Sequence, residues 1–170
     1  MKHDNNAEQV REKLASSLPH DVTNRAEILC LPAFAPEVFL SVSKEARRTT
    51  LRLRTFQSSY WDAESDRSLE IQGECAVVPE LLAGQFWSEI AELNPSTIKA
   101  EKCLGLDGVT VSALFQDRET LHEFETWSPI GDSPEAKFIN SILRLAGMLL
   151  KEPTSLERLS TLAFYMGTAR

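Results

Sequence analysis

Apolar residues in this chain change their spacing several times, and each change marks an element. TTLRLRTF, Thr49 to Phe56, alternates strictly: Leu51, Leu53 and Thr55 point one way, and Arg52, Arg54 and Phe56 the other. That period of two is the signature of a half-buried strand. EILCLPAF, EVFLSVSK and SLEIQGECAVV, starting at Glu27, Glu37 and Ser68, read as further strands. Pro32 has no amide donor, so it predicts an edge position or a break, and Gly73 predicts a bulge. From Pro79 the spacing lengthens. Leu82, Phe86, Ile90 and Leu93 recur every three or four residues, which predicts a helix stopped by Asn94-Pro95-Ser96.

Alternation returns at Val109, Val111, Ala113 and Phe115 and again over Leu121 to Trp127, with the polar segment Gln116 to Thr120 as a turn. Ser133 is placed to cap a helix that begins at Pro134 and runs to about Leu150, with Phe138, Ile142, Leu145 and Leu149 as its buried stripe. A last helix starts near Thr154. Val10 and Leu14 lie four apart in a first helix over Ala7 to Leu18, preceded by a frayed stretch, residues 1 to 5. Strands neighbour strands and helices segregate. The expected fold is one α+β domain over residues 1–170, an antiparallel sheet of five to six strands with helices packed on one face.

Charge and composition narrow the function classes. The chain has 170 residues, 42% of them hydrophobic, and a net charge of −7, the reverse of a general nucleic-acid binder. No apolar run approaches the roughly 20 residues needed to cross a bilayer. The start, MKHDNNAEQVREKL, lacks a signal-peptide core, so a cytoplasmic protein is expected. Cys30, Cys75 and Cys103 form no C-x-x-C pair and read as buried reduced thiols.

Candidate chemistry is sparse. Gly105-Leu106-Asp107-Gly108 precedes a strand rather than a helix, so it does not present helical amides to a phosphate. A tight turn is expected, with glycines at positive φ and Asp107 bonding local amides. Asp107 stands alone, so no metal is expected, and no cofactor. His3, His20 and His122 have no visible nucleophile beside them, which points away from an enzyme. Trp127 before Ser128-Pro129 reads as an anchor of the sheet edge against a helix. Arg47, Arg48, Arg52 and Arg54 are the exception in an acidic chain. They form either an anion site or a solvated face paired with Glu123 and Glu125 across the sheet.

Phe86-Trp87, Gly105-Leu106-Asp107-Gly108, Trp127-Ser128-Pro129 and the leucine-rich helix after them form a series. It resembles a set of small uncharacterised bacterial proteins with an "FW…GLDG…WSP…LxxLL" pattern, over roughly Ala76 to Leu150. The strand after GLDG, VTVSALFQD, departs from the more aromatic form of that set. Gly105, Asp107, Gly108, Trp127 and Pro129 read as structural. The resemblance and the charge together imply a non-enzymatic interaction protein, an immunity-type inhibitor that occludes a basic toxin domain, without nucleic acid or membrane. Asp62, Glu64, Asp66, Asp117 and Glu119 in two polar loops are its candidate contacts. The alternative is a small anion- or nucleotide-ligand domain using Arg52 and Arg54. Leu156, Leu159, Leu162 and Phe164 read as core packing, with a homodimer face as the other use of that stripe.

Overall fold

The computed structural model describes residues 3–16, 22–60, 69–99, 107–118 and 120–167, with side chains from residue 7 onward. Among these, the elements are α1 (His3–Ala15), β1 (Asn24–Pro32), β2 (Val38–Glu45), β3 (Arg48–Phe56), β4 (Ile71–Val78), α2 (Glu80–Leu93), β5 (Val109–Asp117), β6 (Thr120–Trp127), α3 (Pro134–Leu149) and α4 (Pro153–Tyr165), with one 3-10 turn at Pro95–Thr97. The strands form one antiparallel six-stranded sheet in the order β4-β3-β2-β1-β5-β6. The expected α+β architecture is therefore present.

Alternation along the strands builds two cores. Ala26, Ile28 and Cys30 of β1, Val38, Leu40 and Val42 of β2, and Leu51 and Leu53 of β3 point to one face. There they meet Phe86 and Ile90 of α2, Phe138, Ile139 and Ile142 of α3, and Leu162 of α4. Each of the valine, leucine, isoleucine and phenylalanine side chains contributes about 1.5–3 kcal/mol on burial. The other face carries the intervening residues. Leu29, Phe39 and Phe56 are closed over by Val10 and Leu14 of α1, so, against expectation, the helices are not all on one face: one lies opposite the other three. Helix α1 begins at His3 and takes in part of the stretch read as frayed.

Several local expectations change. Pro32 is the last residue of β1, opposite Val109. Because β1 sits between β2 and β5, the proline marks a break and not an edge. Gly73 causes no bulge: β4 stays in register with β3 from Ile71 to Val78. Its missing side chain serves close approach instead, since a Cβ there would stand 2.6 Å from the Leu53 carbonyl oxygen. Gln116 and Asp117, read as turn, are paired strand residues, and Arg118 turns the hairpin with φ of 47°.

Helix ends are satisfied from nearby. Ser133 Oγ accepts from the Ala136 amide at 3.2 Å, the expected cap of α3. Helix α4 borrows its cap from the sheet: the Glu74 carboxylate accepts from the amides of Lys151 at 2.8 Å and Glu152 at 3.1 Å. No helix among the described residues is long and apolar enough to cross a membrane.

Candidate anion site on the α1 side of the sheet

Strand register sets polar residues side by side on the face that α1 partly covers. One row across the sheet reads Gln116, Arg25, Ser43, Thr50, Val77. The next reads Leu114, Glu27, Ser41, Arg52, Cys75, and the third Ser112, Leu29, Phe39, Arg54, Gly73. Glu27, Ser41, Ser43 and Thr50 are all buried. Buried polar groups are expensive unless partnered, so their pairing is informative.

Glu27 is well supplied. Arg11 Nη1 lies 3.4 Å from its Oε2, Arg25 Nε lies 3.4 Å from its Oε1, and Ser41 Oγ donates to Oε1 at 3.4 Å. Arg11 also donates to the Ser112 carbonyl at 3.3 Å and to Ser112 Oγ at 3.1 Å, which ties α1 to β5. Burial pushes the Glu27 carboxyl above the ordinary range, and Arg25, Arg11 and Ser41 offset only part of that.

At Arg52 one donor is not supplied: its Nη1 is buried and has no hydrogen-bond partner, as is true of Ser43 Oγ, whereas Arg25 Nε keeps its ion-pair contact with Glu27. Arg54, two residues on, donates from Nη1 to the Leu14 carbonyl at 3.0 Å, at the C-terminal end of α1 where a cation suits the helix dipole. Beside these arginines, Gly73 carries no side chain, which leaves a shallow notch between Ile71 and Cys75 with the Leu53 carbonyl and the Arg54 Cγ close against it. The result is an open pocket of about 330 Å³, lined by Arg52, Arg54, Ile71, Gly73 and Cys75 together with Glu74. That volume suits a small ligand. The Glu74 carboxylate is engaged by the amides before α4.

The pairing of Arg52 and Arg54 with Glu123 and Glu125 does not occur. Strands β3 and β6 are four strand spacings apart, about 19 Å, beyond the reach of either side chain. The cluster divides: Arg47 and Arg48, where β2 turns into β3, are exposed to solvent as a solvated face would be, while Arg52 and Arg54 are both half-buried.

The remaining expected residues fall elsewhere. Asp62, Glu64, Asp66, Glu119 and Gly105 lie outside the described residues. Asp117 is exposed at the end of β5 and accepts from Asn24 Nδ2 at 3.2 Å. Asp107, Gly108, Trp127 and Pro129 come together where β5 begins and β6 ends. Gly108 does not have positive φ. It is there because a methyl group would overlap Trp127 Cζ2 and Ser128 Oγ. Trp127 thus settles on the neighbouring strand's entry, and Ser128 Oγ, rather than Asp107, accepts from the Val109 amide at 3.0 Å. His122 bonds through Nε2 to the Ile98 carbonyl at 3.0 Å. Cys30 is buried, and burial raises its thiol pKa, whereas Cys75 is exposed against expectation; Cys103 lies outside the described residues. On α4, Leu162 is buried and Leu159 packs against the core, while Leu156 and Phe164 are exposed.

Arg11, Arg25, Glu27, Ser41 and Ser43 were not anticipated. For the four strand residues the signal is local: polar residues at alternate positions inside apolar strands, Arg25 and Glu27 flanking Ala26, Ser41 and Ser43 flanking Val42; Arg11, on α1, has no such signal. Neither known family models nor curated proteins give a match to this chain.

Proposed function

We propose that this protein binds a small anion at Arg52 and Arg54, on the α1 side of the β3–β4 edge, as a cytoplasmic binding protein rather than an enzyme. The observation that carries the reading is the buried Arg52 Nη1 without an acceptor. An unsatisfied buried donor costs about 1–3 kcal/mol, more for a charged group. Arg52 and Arg54 both line the adjoining pocket, and two guanidinium groups favour an oxyanion such as phosphate or carboxylate, which would satisfy Arg52 once its guanidinium turns toward it. The test is thermal unfolding with inorganic phosphate and with succinate. Saturating anion raises the melting temperature of the natural chain by mass action and leaves Arg52→Ala unmoved. Equal responses in the two proteins overturn the assignment.

A second reading is the immunity-type inhibitor docking on a basic toxin domain. Its support is the net charge of −7 and the exposed Asp117 at the end of β5. Capture from lysate of the native cell in moderate salt tests it. A basic partner that is toxic alone and harmless beside this chain supports it. A partner whose association rate ignores charge reversal at Asp117, Asp62, Glu64 and Asp66 sinks the electrostatic docking mode.

A further inference from the structure

The pocket lies on β4, the outermost strand of the sheet among the described residues, and the two features fit one kind of ligand. We infer that the β4 edge accepts an extended acidic peptide as a seventh antiparallel strand, with a glutamate side chain of that peptide entering the notch over Gly73. The inference rests on the reading of Arg52 and Arg54 as an anion site and names the anion's carrier.

Strand β4 is the last in the sheet order and pairs with β3 alone among the described residues. Its backbone groups on the outer side are the ones a further strand would use, as in peptide recognition by strand addition. Gly73, Cys75 and Val77 are exposed on the α1 side, and Val77 is 53% exposed although apolar. A strand laid antiparallel along this edge alternates its side chains, so every second residue faces these positions. Opposite Val77 an apolar residue is favoured, opposite Cys75 a small one, and opposite Gly73 a long acid. Gly73 is the register partner of Arg54, and Cys75 that of Arg52. A glutamate over Gly73 crosses no side chain on β4 and has both guanidinium groups on the strand behind. Charge complementarity thus selects an acidic peptide over a basic one. The motif, read from the peptide's N-terminus, is apolar–x–small–x–Glu.

The experiment uses fluorescein-labelled Thr-Val-Thr-Ser-Thr-Glu-Thr and fluorescence anisotropy on the full chain. Saturable binding is expected. A peptide with lysine in place of glutamate should bind at least about tenfold more weakly. A peptide N-methylated at alternate residues, on the backbone edge that would face β4, should lose binding because its strand donors are gone. Arg52→Ala, first shown to melt cooperatively, should weaken the glutamate peptide about tenfold. Unchanged binding of the lysine or the N-methylated peptide overturns the inference, and these arms need no variant protein. If phosphate and succinate stabilise the chain through Arg52 but no peptide binds, the strand-addition inference falls while the anion site stands. If neither anion nor peptide acts through Arg52, both fall.

Discussion

Gly108 packs beneath the indole of Trp127, so closely that a methyl group on its Cα would overlap the ring. The residues around them complete the junction. The Ser128 amide donates to the Val109 carbonyl at 2.7 Å, the Val109 amide donates to Ser128 Oγ at 3.0 Å, and the Ala33 amide donates to the Gly108 carbonyl at 2.9 Å. Two motifs far apart in the chain therefore meet as one structural device, which closes the β5–β6 hairpin and holds it to the end of β1.

Replacing Gly108 by alanine should destabilise the fold by about 1–3 kcal/mol, the range for overfilling a packed site. Gly84 is the control. It lies inside α2 with open space where a Cβ would go. Gly84→Ala should stabilise by up to about 1 kcal/mol through helix propensity. Urea unfolding of both variants checks the pair, and equal destabilisation would remove the packing argument.

Arg54 holds the last turn of α1 through the Leu14 carbonyl. Arg54→Ala should remove a charged hydrogen bond of about 1.5–3 kcal/mol. The loss should be local. Hydrogen exchange should quicken in α1 while the β1–β5 amides keep their protection.

Two carboxylates should tilt stability with pH in opposite directions. At Glu74 burial raises the pKa, but hydrogen bonds from Lys151, Ser155 and Glu152 outweigh it and hold the carboxyl below its ordinary value of 4.5. Its contribution is complete above the ordinary value and is lost as pH falls through the lower, folded one. The advantage of the natural chain over Glu74→Gln should therefore shrink in acid. Glu27 lies above 4.5 because of burial. There the folded state binds the extra proton, so stability declines as pH rises from 4.5 through the raised value. Glu27→Gln should flatten that decline. Denaturant midpoints across the acid range read both slopes.

Ser133→Ala should cost about 1 kcal/mol, because its hydroxyl oxygen serves the Ala136 amide at the start of α3. Ser133→Asp should restore most of the loss, and thermal unfolding separates the three proteins.

Local pattern determined a great deal. Strict alternation in Thr49 to Phe56 and Val109 to Phe115 placed β3 and β5, because a strand with unlike faces must alternate. Four-residue spacing placed α2 and α3, and Ser133-Pro134 marked the start of α3, because free amides there need an acceptor. These are properties of neighbouring residues, and local sequence order alone can encode them. Tertiary structure decided the rest. Nothing near Leu53 in sequence says that Arg52 lies beside Ser41, or that Glu123 lies four strands away, because register and strand order arise only when distant segments pair. The same holds for α1, whose apolar pair Val10 and Leu14 could cover either face until Leu29, Phe39 and Phe56 offered it one. The candidate site follows from register: it sets Arg52 and Arg54 beside Cys75 and Gly73, where they line one pocket, and leaves the buried Arg52 Nη1 without an acceptor.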